Sequence, residues 1–226
     1  EGMFEHTVGG SHDYSQQVWA DTMFMGALFL AKWGEFTGNT MYQKEAARQI
    51  ILHYKYLKDE KTGLIFHGYN CRNRNHMSSV RWGRANGWGI ISCLEILETL
   101  PKFLPEYEQL IELLNNHIES FIKYQDVSGM FRTVMDSEES YLETTVTSCF
   151  YHATSHGSHY LIGDYSIESQ KALEALLKNI GEDGTALQSS AGTPVLESEK
   201  EYNEIGFSLT FYGQGLMILA LSSALA

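Results

Sequence analysis

Four glycines, Gly2, Gly63, Gly129 and Gly184, each open a short hydrophobic alternation: Gly2-Met3-Phe4-Glu5-His6, Gly63-Leu64-Ile65-Phe66-His67, Gly129-Met130-Phe131-Arg132-Thr133 and, more weakly, Gly184-Thr185-Ala186-Leu187-Gln188. Their separations of 61, 66 and 55 residues are too long for tetratricopeptide or ankyrin units. They suit a unit of two long helices plus a small β-turn element. Between the glycines two kinds of helical pattern alternate. Residues 16–36, 87–100, 145–161 and 207–225 are apolar on nearly every face, which marks helices buried all round. Residues 41–58, 106–124 and 166–180 set Ile, Leu, Ala and Tyr on one stripe with Lys, Glu and Gln opposite, the pattern of an outer helix with a wet face. Stacking such units so that inner helices bury one another predicts an all-α toroid with its mouth loops gathered at one end.

A closed ring of six such hairpins needs roughly 360 residues by the repeat logic. The 226 residues present supply about three and a half hairpins, starting in the tail of an earlier repeat. The expectation is one partial barrel domain over residues 1–226, lacking its N-terminal hairpins.

Charge then narrows the partners. Sixteen Lys and Arg against 28 Asp and Glu give a net charge of −12, which argues against general affinity for nucleic acid or anionic membrane. Three cysteines, Cys71, Cys93 and Cys149, lack CxxC or CxxH spacing, so neither a disulfide framework nor a zinc site is indicated and a reducing cytoplasm is the expected setting. The opening residues show no basic and apolar regions of a signal peptide. Residues 206–226 carry no charge but include Ser208, Thr210, Gln214, Ser222 and Ser223, so a buried helix is expected there, not a membrane span. GxSxG, P-loop and GxGxxG motifs are absent, which removes support for serine hydrolase and nucleotide readings.

Asp21 is the first candidate for chemistry, because it lies in VWADTMFMGALFLA among Trp19, Met23, Phe24 and Met25. Burial raises a carboxyl pKa and a nearby guanidinium lowers it, and a group poised between the two suits general acid/base work. The same pattern also fits a core Asp that caps a helix or bonds to a tyrosine. From Lys61 to Leu94 the chain carries Lys61, Arg72, Arg74, Arg81 and Arg84 with no acid, a charge of +5 that suggests a small anionic substrate such as a uronic acid. Solvated surface arginines are the plainer account of Arg72 and Arg74. In the run WGRANGW, Trp82 and Trp88 offer flat faces to a sugar ring, and Asn86 is placed to cap the next inner helix. His67 ends its alternation aimed at the mouth and His6 occupies the matching place one repeat earlier, although either also fits a surface site.

His152, His156 and His159 share one helical face at i, i+4 and i+7, a spacing suited to packed histidines, a metal, or the pair of a sugar epimerase. Tyr141 to Ser148 places Glu143, Thr144 and Thr145 at the start of an inner helix, and Tyr212 and Gln214 lie in the last one. Such groups serve sugar hydroxyls or helix caps equally well.

The stretches VWADTMFM, HGY at His67 to Tyr69, WGRANGW and SYLETTVTS together resemble glycoside hydrolase family 105, the unsaturated rhamnogalacturonyl hydrolases, with the related family 88 glucuronyl hydrolases next. The likeness runs in order over essentially the whole chain. It implies an (α/α)6 barrel that acts, without metal or cofactor, on the unsaturated uronic acid left by polysaccharide lyases. By this resemblance Asp21 protonates C4 of the C4=C5 enol ether and helps water add at C5, unlike the paired carboxylates of an ordinary glycosidase. His67, Trp82, Arg84 and Trp88 then line the uronate subsite, with Arg84 on its carboxylate, and His6, Thr144, Thr145 and Tyr212 are further contacts. The family's additional N-terminal aspartate has no counterpart here. Two other readings compete: a sugar epimerase, and a non-catalytic remnant that binds carbohydrate or self-associates through exposed inner helices.

Overall fold

The computed structural model describes residues 2–7 and 14–225. Strand β1 (Gln17–Trp19) leads into a π-helical segment, Met23–Leu28, which runs directly into α1 (Phe29–Thr37). Gly38 closes α1 in the left-handed conformation, and Asn39 starts α2 (Thr40–Leu57) by accepting the Met41 N–H at 3.1 Å. Ala46, Ala47, Ile50, Tyr54 and Leu57 form the buried stripe of α2 at helical spacing. Strand β2 (Gly68–Asn70) follows, then α3 (Gly83–Thr99) and α4 (Pro105–Phe121), the latter opened by a proline in its first turn. Strands β3 (Phe131–Arg132) and β4 (Leu142–Glu143) precede α5 (Thr144–Ser155) and α6 (Ser166–Leu177). The chain ends in the short α7 (Glu199–Glu204) and α8 (Phe211–Ser223).

Helices pair in sequence as hairpins, α1 with α2, α3 with α4 and α5 with α6. The inner helices pack side by side in the order π-helical segment, α3, α5, α8. This is the expected arc of an α/α toroid. The four repeat glycines, Gly2, Gly63, Gly129 and Gly184, all have left-handed φ, between 76° and 91°. Only glycine takes that conformation without steric cost, which is why the residue recurs at the turn. Among the described residues the strands form two antiparallel pairs, β1 with β2 and β3 with β4, both at the mouth.

Two expectations need correction. The segment 16–36 is not one helix, because β1 and the turn at Ala20 occupy its first part. Nor are the first and last inner helices buried all round: Met25, Phe29, Trp33 and Phe36 form an exposed apolar stripe, and Phe211 and Ile218 are exposed on α8. Each of these helices has an inner neighbour on one side only, whereas α3 and α5, flanked on both sides, are buried along almost every residue. Among the described residues no helix is long and apolar enough to cross a membrane, and α8 spans only 13 residues.

Candidate active site

Pairing of β1 with β2 sets Trp19 opposite Gly68, so the residues just beyond, Asp21 and His67, are brought face to face. The Ala20 N–H donates to the His67 carbonyl at 2.9 Å, which locks this approach. His67 Nε2 lies 3.2 Å from Asp21 Oδ2; the histidine side chain is fully buried and that of Asp21 is 20% exposed, so the carboxylate is the accessible end of the pair. Burial pushes the Asp21 carboxyl up, but the hydrogen bond and charge of His67, with the charges of Arg84 and His6, outweigh it and hold the pKa below the ordinary value. Burial lowers His67, partly offset by Asp21. The pair is therefore a carboxylate and a neutral imidazole at neutral pH. Of the two opposing effects expected at Asp21, burial and nearby positive charge, the partners outweigh the burial.

His6 joins this centre. Its N–H donates to the Gln17 carbonyl at 2.9 Å and its ring stacks on Trp19 at 3.8 Å; burial lowers its pKa, Asp21 partly offsets this, and His67 adds to the lowering. The N-terminal segment that carries it is held on α2 by Gln49, which accepts from the Phe4 N–H and donates to the Gly2 carbonyl.

The WGRANGW run is placed next to this centre but is used differently from the expectation. Trp82 and Trp88 are 1% and 2% exposed, Trp82 packed on His67 at 4.1 Å and Trp88 stacked on Phe24 at 4.7 Å. Neither offers a free face to a sugar, because core packing takes both rings. Arg84 is likewise committed: it donates to the Ser190 carbonyl and hydroxyl, the Ala191 carbonyl at 2.9 Å and the Thr193 hydroxyl at 3.3 Å, with Trp82 and Tyr212 rings against its plane. These bonds occupy both terminal nitrogens, so a bidentate carboxylate clamp would require the 190–193 segment to move. Tyr212 donates to the same Ser190 carbonyl at 2.7 Å.

Asn86 is not the helix cap either, since α3 starts at Gly83. Its amide accepts the Ile65 N–H and donates to the carbonyls of Ile65 and Trp82, tying the segment that leads to His67 to α3. At the start of α5 the cap is Glu143, whose carboxylate accepts from the N–H groups of Thr145 and Val146. Thr144 and Thr145 are both 1% exposed and bonded inward, Thr144 to the Leu187 carbonyl and Thr145 to Glu143, so neither hydroxyl faces a ligand.

The histidine face lies toward the C-terminal ends of the inner helices, away from the Asp21–His67 pair. His152 is bonded to Glu95 at 2.9 Å and Ser223 at 2.7 Å, while His156 and His159 lie beyond the end of α5 and approach Glu98. Glu95 is eleven residues along α3 from Arg84, about 16 Å by helical rise. Among the described residues no group of three or more His, Cys, Asp or Glu is placed to hold a metal ion. Of the basic run, Arg81 is paired with Asp136, and Arg72 and Arg74 are exposed.

One site residue escaped the sequence reading. The Tyr202 hydroxyl lies 2.8 Å from His67 Nδ1 and the residue is fully buried. Its helix, α7, is announced by the capping box Ser198-Glu199-Lys200-Glu201, a local signal that marks a helix start but not the destination of the tyrosine.

The profile of Glycosyl Hydrolase Family 88 matches residues 1–226. The chain is 30% identical over 227 residues to the unsaturated rhamnogalacturonyl hydrolase YesR of Bacillus subtilis (strain 168), covering 100% of this chain and 65% of that protein. A possible member of the GH105 family from Salmonella enterica serovar Paratyphi A superimposes with a TM-score of 0.92 at 33% identity, over 99% of this chain and 60% of its own. A family 105 glycoside hydrolase of C. acetobutylicum gives 0.84 at 26% identity, over 98% and 68%. The chain thus spans 65% and 60% of the lengths of the first two relatives. With a profile match from end to end and these neighbours, the chain belongs to glycosyl hydrolase family 88 and shares the helical toroid of families 88 and 105.

Proposed function

We propose that the chain carries the acid/base centre of an enzyme that removes unsaturated galacturonyl or glucuronyl residues from the non-reducing ends of lyase-generated oligosaccharides such as rhamnogalacturonan fragments. The observation that carries this reading is the partly exposed Asp21 carboxylate backed by buried His67 at 3.2 Å, within this family's fold. Water adds across C4=C5: Asp21 gives a proton to C4 and takes one from the water whose oxygen bonds to C5. The hemiketal at C5 then opens and the aglycone leaves with its oxygen protonated. In the free protein Asp21 is ionised, so it must gain a proton first. An incoming uronate is a like charge beside it, which raises the Asp21 pKa and favours that uptake. Arg84 supplies positive charge to the centre, as its effect on Asp21 indicates. The three cysteines, which lack CxxC or CxxH spacing, support a reducing, cytoplasmic setting.

The test follows the ultraviolet absorbance of the conjugated enoate in an unsaturated uronyl disaccharide with the parent chain and with Asp21→Asn. Loss of signal with the parent and at least a 100-fold slower loss (roughly, for removal of an acid/base group) with the variant is expected. Full turnover by a folded Asp21→Asn refutes the assignment. No turnover by either, with retained disaccharide binding, favours a non-catalytic carbohydrate-binding role.

A further inference from the structure

We propose that Tyr202 is a positioning residue for the Asp21–His67 pair: its hydroxyl dictates which imidazole nitrogen of His67 carries the proton, and so keeps a donor aimed at Asp21. The connection between the Gly184 turn and α8 carries this tyrosine across 135 residues of sequence to His67. The Tyr202 oxygen accepts the Leu196 N–H at 3.2 Å. Its own proton is then directed at His67 Nδ1, 2.8 Å away. With Nδ1 accepting, a neutral imidazole bears its proton on Nε2, where it donates to Asp21 Oδ2 at 3.2 Å. The opposite tautomer would set two lone pairs against each other at Asp21 and take from the Tyr202 proton its acceptor at Nδ1.

The surroundings hold the tyrosine where this requires it. Ser198 and Glu201 form the reciprocal capping box of α7, and the Glu201 carboxylate also accepts the Glu197 N–H at 3.1 Å, so a helix of six residues is fixed at its start. Arg84 pins the beginning of the same connection through Ser190, Ala191 and Thr193. The rings of Trp19 and Trp82 flank His67 and do not titrate. The charged and titratable groups facing the relay are Asp21, His6 and Arg84 on the Nε2 side, and Tyr202 with Glu201 behind it on the Nδ1 side.

The tautomer is independent of the reaction; its effect on turnover rests on Asp21 being the acid/base. Nitrogen-15 chemical shifts of labelled histidine, assigned to His67 by comparison with His67→Gln, read the tautomer directly in the parent protein. They are expected to show Nε2 protonated and Nδ1 as a hydrogen-bonded acceptor at neutral pH. Tyr202→Phe keeps the ring and removes only the hydroxyl. In it the Nδ1 resonance is expected to shift and exchange between tautomers, with kcat roughly tenfold lower or more and KM within about twofold. The acidic limb of the kcat/KM profile should move to higher pH, a change that a purely structural role for the ring would not produce. A parent His67 protonated on Nδ1 overturns the proposal without any variant, as does an unchanged Tyr202→Phe by both spectrum and kcat. If Tyr202→Phe changes the spectrum as expected while Asp21→Asn retains turnover, the relay stands and the acid/base reading falls.

Discussion

Replacing Asn86 by Ala tests how firmly the His67 segment is tied to the core. The Asn86 oxygen accepts the Ile65 N–H at 2.8 Å and faces His117 Nε2 at 3.0 Å, while its nitrogen donates to the Ile65 carbonyl at 3.0 Å. Burial pushes the His117 pKa down to about 3, so its ring is neutral at neutral pH. Since Nε2 faces an oxygen, it carries the proton and Nδ1 accepts from the Tyr54 hydroxyl at 2.7 Å. Truncation to Ala leaves three groups unpaired, the Ile65 N–H, the Ile65 carbonyl and the His117 Nε2–H. Residues Ile65, Asn86 and His117 are 0%, 0% and 1% exposed, so bulk water does not replace the lost partners. At about 1–3 kcal/mol for each buried unpaired group, reduced where a trapped water enters the space vacated, the expected loss is about 3–6 kcal/mol. The Trp82 carbonyl adds little, because the Asn86 backbone N–H still donates to it. Urea unfolding followed by circular dichroism should show the midpoint falling with the slope unchanged. A loss under about 1 kcal/mol would refute the claim that this amide braces the segment.

Three further outcomes follow from geometry already described. Gly63→Ala should cost more than Gly184→Ala by thermal or urea unfolding: both have left-handed φ, worth about 1–2 kcal/mol, but a Cβ at Gly63 would collide with Ser120 whereas nothing lies within 4 Å at Gly184. Equal costs would show that the Ser120 contact yields freely. Glu143→Ala removes the acceptor for the Thr145 and Val146 N–H groups of a buried helix start and should lower stability by about 2 kcal/mol; no change in the urea midpoint would show another cap takes over. Burial pushes His53 down to about 4 and His117 to about 3, below an unfolded value of 6.5, so only the unfolded chain takes up these protons between pH 6.5 and 4. Their stabilisation is therefore complete above pH 6.5 and lost as pH falls, at about 3 kcal/mol per pH unit for the two together. Unfolding free energies that agree at pH 7 and pH 5 would show that these rings are protonated in the folded state.

The repeat was legible because its turn makes a demand that glycine meets without steric cost: the backbone is left-handed at each of the repeat glycines 2, 63, 129 and 184. Asp21 and His67 were legible as unusual residues in apolar surroundings, although their 3.2 Å contact depends on the β1–β2 pairing that a helical reading of 16–36 conceals. Trp82, Trp88 and Arg84 were found, but their commitment to packing and to internal hydrogen bonds was not legible, since an aromatic and guanidinium run serves a core or a sugar cleft equally until its neighbours are known. Those neighbours, Ser190, Ala191 and Thr193, lie more than 100 residues away. For the same reason Tyr202 carried no functional signal in its own surroundings.

These spans also bear on the order in which the molecule comes together and apart. Each helical hairpin closes through neighbours in sequence, so the arc can form by local steps, while the bonds from Arg84 to Ser190 and from Tyr202 to His67 close loops of 106 and 135 residues. The segment between Gly184 and α8 has little regular structure beyond the six residues of α7, and it is held to the helices by bonds between residues distant in sequence. It is therefore the natural unit to open locally while the helices remain intact. The proton wiring of His67 would then be the last property gained on folding and the first surrendered under stress, ahead of any change in helix content.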